Sequence, residues 1–236
     1  MKKILLFVLL YTSFAFSQEV TNVISSDKIK VTYTYYPPAT PEGAYETYLY
    51  IDENSSQFVN LGERKTVELD NNMRVTFSYL HYINNYNFTT QQVEENRILE
   101  DGTTLYAKWN NDLDWEITDQ EIFIGKYKVR KATATSFDSN PESGFYFGKV
   151  IAWFCADIPI PSGPARYHGL PGLILKLEYE DNGRQYIFEG IDTEVDYQFT
   201  DIVKDNVVVK EDVTYPEHKN LKEIKRIQRE NKKNNR

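Results

Sequence analysis

Leu173-Ile174-Leu175-Lys176-Leu177-Glu178-Tyr179-Glu180-Asp181-Asn182-Gly183-Arg184-Gln185-Tyr186-Ile187-Phe188-Glu189 reads as a β-hairpin. Leu173, Leu175, Leu177 and Tyr179 alternate with Ile174, Lys176, Glu178 and Glu180. A period of two puts one set of side chains on each face of a strand. Asn182-Gly183 accepts the backbone angles of a tight turn, and Asn-Gly between two alternating runs is a strong local hairpin signal. Upstream, Lys149 to Cys155 is apolar on both faces, the pattern of a strand inside a sheet.

The same period recurs outward from this hairpin. Ile29, Val31, Tyr33 and Tyr35 alternate with Lys30, Thr32 and Thr34, and Pro37-Pro38 stops the run. Tyr45, Thr47, Leu49 and Ile51 repeat it before the turn residues Asp52 to Ser56. Met73 to Leu80 and Tyr127 to Thr135 are further strand candidates, and Leu99 to Trp109 reads as a hairpin turning at Gly102. Only the C-terminus reads as helix: Thr214 and Glu217 have capping-box spacing, and Leu221, Ile224 and Ile227 form a thin apolar stripe. Residues 37–43 and 136–144 read as loops. The expected fold is mainly β: a single-domain antiparallel curved sheet or open half-barrel with a short C-terminal helix.

Between the buried strand and the hairpin lies Gly163-Pro164, then Gly169-Leu170-Pro171-Gly172-Leu173-Ile174. Glycine admits backbone angles other residues avoid and proline fixes its own, so this segment needs a particular path before the strand starts. Its parts stand in a recognisable order. Trp115-Glu116-Ile117 is followed by Ile124-Gly125-Lys126-Tyr127-Lys128 and Lys131-Ala132-Thr133. Ala152-Trp153-Phe154 and Asp157-Ile158-Pro159-Ile160 come next, then Gly163-Pro164 and His168 to Ile174. Over residues 114–191 the chain resembles the GLPGLI family, secreted proteins of Bacteroidetes-type bacteria without an established biochemical function. It departs from that family at Val129, in a segment where such proteins often carry Cys, and in a longer loop over residues 136–144. The resemblance implies an exported protein and names no reaction.

The N-terminus agrees with export. Lys2 and Lys3 precede an apolar run from Ile4 to Phe16, too short to span a bilayer, and Ala15-Phe16-Ser17 offers small residues for cleavage. Residues 1–17 are therefore read as a signal peptide with Gln18 the mature N-terminus. Residues 18–216 are read as one β-rich domain and 217–236 as a basic helix and tail. No later segment is long and apolar enough to cross a membrane. Of the 236 residues, 18 are Tyr and 13 Phe, which favours strands and half-wet surfaces. The formal net charge of −8 argues against a nucleic-acid surface. Cys155 is the single cysteine, so no internal disulfide forms, and its apolar run marks it as a small buried residue.

Candidate chemistry is sparse. Ser162, His168 and Asp157 are near in sequence without a G-x-S-x-G elbow, and Cys155 with His168 has no better support. His81, His168 and His218 fall in no metal-ligand spacing, and the acidic residues Asp101, Asp112, Asp114 and Asp119 lack that of an EF-hand, so no metal or cofactor is expected. The glycine-rich turn leads into a strand, not a helix, unlike nucleotide loops. Arg166 and His168, between Gly163-Pro164 and the second glycine turn, are the best polar candidates for a site, with Trp109 and Trp115 as aromatic contributors. Gly163, Pro164, Gly169, Leu170, Pro171, Gly172, Leu173 and Ile174 are read as a structural motif.

Two readings of function stand. One is a non-enzymatic exported envelope protein, in the periplasm or outside the cell, that binds a partner protein or an apolar ligand on an aromatic-lined sheet. By loose analogy this is the lipoprotein-carrier type of fold. The alternative is a periplasmic hydrolase acting through polar groups near Arg166 and His168.

Overall fold

The computed structural model describes residues 28–37, 41–62, 65–68, 74–77, 81–135, 148–180 and 183–208. The expected signal peptide and the expected C-terminal helix lie outside them. Thirteen strands follow in chain order: β1 (Ile29–Tyr36), β2 (Tyr45–Ile51), β3 (Ser55–Asn60), β4 (Lys65–Glu68), β5 (Arg74–Phe77), β6 (His81–Asn87), β7 (Gln92–Ile98), β8 (Thr104–Asn110), β9 (Glu116–Ile124), β10 (Tyr127–Thr135), β11 (Lys149–Cys155), β12 (Leu173–Tyr179) and β13 (Gln185–Asp192). Among the described residues the only helical turn is a 3₁₀ turn at Pro41–Gly43.

Eleven strands form one antiparallel sheet in the order β8-β7-β6-β3-β2-β1-β13-β12-β11-β10-β9, and β4 pairs with β5 alone. The order resolves into two meanders. Residues 29–110 build one half and residues 116–192 the other, and β1 joins β13 at the seam, from Lys30↔Asp192 to Tyr36↔Gln185. The sheet does not close: β8 and β9 lie at its two edges, yet are consecutive in sequence. Laid flat, eleven strands would separate those edges by about 50 Å at their usual spacing. Residues 111–115 span at most about 20 Å between them. The two edges must therefore curl towards one another, which makes the mainly β architecture an open half-barrel.

Side chains sort by register. Leu49, Phe58, Asn84, Glu95 and Ala107 lie opposite one another across β2, β3, β6, β7 and β8. All five are buried, and this is the core face. Tyr50, Gln57, Asn85, Glu94 and Lys108 form the matching row on the outer face. In the other half, Val129, Ala132, Val150, Ala152, Phe154, Leu175 and Leu177 complete the core. Burying each larger aliphatic side chain contributes about 1.5–3 kcal/mol of gross hydrophobic stabilisation.

Two irregular segments finish the molecule. Residues 156–172, between β11 and β12, cross the core face and bury Ile158, Ala165, Tyr167 and Leu170 there. Residues 193–208 run over the outer face as an extended strap. Gln57 accepts from Thr200 N at 2.9 Å and donates to Thr200 O at 2.8 Å. Asn96 does the same with Val203, both bonds at 2.7 Å. A side-chain amide has the donor and acceptor of a peptide group, so each of these residues holds the strap as a neighbouring strand would. Tyr197 stacks on Tyr50 with ring centroids 3.4 Å apart.

Candidate functional site

The loop 156–172 is where the sequence placed its candidates, and its path is set by three glycine-dependent contacts. Gly169 has φ +92, the left-handed region that glycine enters without steric cost. Gly172 has an ordinary φ; it is glycine because the backbone of Cys155 and Ala156 passes against its Cα, and a Cβ would collide with the Cys155 carbonyl. Gly163 is pressed in the same way by the side chain of Ile174. Backbone bonds then lock the loop: Leu173 N donates to Ile158 O at 2.9 Å, Ile174 N to Ser162 O at 3.0 Å, and Gly169 N to Pro161 O at 3.0 Å. Tyr33 on β1 donates its hydroxyl to Ile174 O at 2.7 Å, tying the motif to the seam.

The loop's polar side chains meet the sheet in one continuous chain. Arg166 grips Glu95 on β7 with two bonds of 2.6 Å, from Nε and Nη2. Glu95 also accepts from Asn84 Nδ2 on β6 at 3.1 Å. A carboxylate only accepts, so this bond fixes the Asn84 amide and leaves its Oδ1 facing His168 Nε2 at 3.0 Å. Nε2 therefore carries the proton and Nδ1 is the bare nitrogen, which takes the Ser162 hydroxyl at 3.4 Å. Ser162 in turn accepts from Ser56 on β3 at 2.7 Å. The imidazole stacks on Tyr86 (4.4 Å between centroids, 4° between planes), and the Arg166 guanidinium lies over Tyr82 at 4.5 Å.

Every member of this chain is buried: Glu95, Ser56 and Ser162 are 0% exposed, His168 and Asn84 1%, Arg166 6%. Burial pushes the His168 pKa down to about 3, so the ring is neutral. A buried charge pair of this kind is tolerated because the bidentate geometry and the Asn84 bond satisfy the carboxylate. Ser162 and His168 do come together, but the third member is the neutral amide of Asn84. Asp157 is exposed and makes no part of it. A general base must take up a proton near working pH and be within reach of a substrate; an imidazole 1% exposed with its pKa held at about 3 is poorly suited to either.

The remaining candidates separate. Trp115 Nε1 donates to His168 O at 2.9 Å, and Asn111 Nδ2 to the same oxygen at 3.3 Å, so the link between the sheet edges is fastened to the loop. Trp109 packs instead with Leu105, Ala107, Leu99 and Val208 in a separate small cluster. Cys155 is buried, and burial pushes its thiol above its ordinary pKa. Sequence reading missed Ser56, Asn84 and Glu95, the sheet's half of the chain. Their signal is present in His81-Tyr82-Ile83-Asn84-Asn85-Tyr86-Asn87 and Gln92-Val93-Glu94-Glu95-Asn96-Arg97-Ile98, two strands with polar residues where core positions fall.

Residues 145–176, which hold β11 and the loop, match a family model described as a protein of unknown function (Porph_ging). No curated protein matches the chain. Among solved structures, two crystal forms of PNGF-II are similar, with TM-scores of 0.53 and 0.52 at 15% and 14% identity. The likeness covers 80% and 81% of this chain and 33% and 32% of PNGF-II, so the chain spans about a third of that protein's length. At this identity the likeness is one of fold. A DUF1329 family protein from Desulfovibrio piger ATCC 29098 aligns over 80% of this chain and 94% of its own, with a TM-score of 0.31 at 6% identity. That score is too low to bear on fold or function.

Proposed function

We propose that this is an exported, non-enzymatic protein of the cell envelope that binds a protein partner. The observation that carries this reading is the distribution of exposed apolar side chains. Of the six large hydrophobic residues exposed among the described ones, three, Ile117, Ile122 and Phe123, lie together on β9, while Leu61, Val203 and Val207 lie apart from it. Clustered exposed apolar side chains mark interaction surfaces more than scattered ones do. The buried polar chain supports the same reading from the other side. Arg166 and His168 are spent on holding loop 156–172 against the sheet, so a hydrolase working through them has no reacting atom within reach of a substrate. Trp115 acts through the same loop rather than by direct contact, and Trp109 is kept for the edge of β8.

A second, apolar-ligand reading also has a place to go. Loop 156–172 fills the core face, but a cavity of about 230 Å³ opens beside the strap, lined by Ile29, Ile51, Val195 and Phe199 with Tyr50 and Tyr197, and by the polar Lys28, Asp52 and Gln198. It is the volume of a short acyl chain, at the small end for ligand sites.

The test is site-specific photocrosslinking of the full chain in its own cell envelope, with the crosslinker in turn at Phe123, Val207 and Lys128. A discrete protein adduct at one of these positions is expected. No adduct at any, together with a co-purifying lipid detected by native mass spectrometry, would replace the partner reading with the apolar-ligand one.

A further inference from the structure

The two edges of the sheet are not alike. On β8, Tyr106 donates from its N to Asn206 O at 3.2 Å and accepts from Val208 N at 2.8 Å. Asn206 Nδ2 also reaches Thr104 O at 3.0 Å. The strap's end thus covers that edge as a short parallel bridge. Among the described residues, β9 pairs only with β10. It spans Glu116–Ile124 with no Pro and no Lys of its own, and a bulge opposite Arg130 to Ala132 leaves Glu121–Ile124 as its regular, unblunted stretch.

The register shows what this edge offers. Gly125, with φ +57, makes a two-residue turn that pairs Ile124 with Tyr127. Such a turn makes its flanking residues the hydrogen-bonded pair, and bonding alternates from there. The N–H and C=O of Phe123 and Glu121 therefore point away from β10, out of the sheet. The register against β10 shifts at a bulge between Arg130 and Ala132. Ile122 lies opposite Val129 on one side of it and Ile117 opposite Ala132 on the other, which places both on the core face as an apolar ledge. Glu121 lies opposite Arg130 and Glu116 opposite Thr133 on the outer face. Lys128 and Arg130 of β10 pair with Glu121 at 2.7 and 3.8 Å, while Glu116 and Asp119 stand exposed. From residue 110 to residue 124 the chain has five acidic residues (Asp112, Asp114, Glu116, Asp119, Glu121) and no basic one.

We propose that the free edge of β9 is a strand-addition site, and that its occupant is an extended segment of a partner protein in which apolar residues alternate with Lys or Arg. The inference rests on the partner-binding reading and specifies its surface. An added strand continues β9: its apolar side chains extend the ledge of Ile117 and Ile122, and its basic ones lie beside the exposed carboxylates of Glu116 and Asp119. A second copy of this chain is the wrong occupant. Antiparallel pairing of two β9 strands about Gln120 would set Asp119 of each against Glu121 of the other, and like charges directly opposite destabilise a sheet.

The test uses the full chain and a short synthetic peptide alternating Lys with Ile and Val. Controls are the Glu counterpart and a version N-methylated at alternate residues. Binding is read by fluorescence anisotropy and by slowed amide exchange at Glu121 and Phe123. The Lys peptide is expected to bind, the Glu peptide at least about fivefold more weakly, and the N-methylated peptide not measurably. Phe123→Pro removes an outward N–H that the fold does not use, so it should abolish binding while leaving the melting temperature near wild type. If that variant fails to fold, Glu116→Lys with Asp119→Lys should reverse the preference between the two peptides. Equal binding of all three peptides, or none at millimolar concentration, overturns the proposal. So does self-association through β9 in sedimentation. A crosslinked envelope partner retained in full by Phe123→Pro would show that a partner binds, but elsewhere than at this edge.

Discussion

Stability between about pH 4.5 and 6.5 should depend on the buried His168. Burial holds its pKa at about 3, against an ordinary 6.5. The depressed value means that the unfolded chain takes up a proton which the folded imidazole refuses. His168 therefore contributes its full stability above pH 6.5, and that contribution is lost as pH falls towards 3. The slope is about 1.4 kcal/mol per pH unit, or about 2.7 kcal/mol over two units. His168→Gln keeps a donor for Asn84 Oδ1 and removes the titration, while loss of stacking on Tyr86 costs about 1–3 kcal/mol at neutral pH. Carboxylates titrate alike in both proteins, so the difference isolates the histidine. Urea unfolding at several pH values should show wild type ahead at about pH 7.5 and the gap closing, or inverting, by about pH 4.5. A gap that stays constant with pH would mean that the imidazole titrates freely in the fold, and the proton assignment along Glu95, Asn84 and Ser162 would fail with it.

Other outcomes follow from the same contacts. Arg166→Met should cost about 3–5 kcal/mol, because it leaves the buried Glu95 carboxylate without its cation; adding Glu95→Leu should restore most of the loss, measured by a double-mutant cycle in denaturant. Gly172→Ala should destabilise by about 1–3 kcal/mol through collision with the Cys155 carbonyl. Gly190→Ala, with open space at its Cα, should stay within about 0.5 kcal/mol, so equal melting temperatures would refute the steric account. Cys155 should react with a thiol reagent only after denaturation.

Strands with one apolar and one wet face were legible in the sequence. β1, β2, β12 and β13 fall where period-two patterns predicted them, β5, β8 and β10 fall within other expected strands, and β11 falls where a run apolar on both faces predicted a buried strand. β6 and β7 did not read as strands, and the reason is physical. Asn84 and Glu95 sit at core positions because they anchor loop 156–172, and Asn96 faces outward because it holds the strap. The residues that anchor irregular chain on the inner side of the sheet are the ones that break the pattern by which a strand is recognised. β9 was hidden differently: an edge strand exposed on both sides has no need to alternate. Arg166 and His168 were found in sequence because they stand in a loop of defined shape. Their partners lie 71 and 84 residues away, and local spacing carries no trace of them.

The two-meander architecture also sets an order of assembly. Synthesis delivers residues 29–110 first, and their hairpins are local enough to form early. β1 then waits, one edge unpaired, until β13 arrives at the far end of the described chain. Non-local pairing of this kind is slow, and an open half-sheet is exposed to mispairing while it waits. In that interval Ser56, Asn84 and Glu95 on the inner face are wetted, and a half-sheet whose inner face is interrupted by water-seeking groups sticks poorly to its neighbours. The same polar chain that clasps the finished molecule thus works, before completion, as a safeguard for the half that must wait.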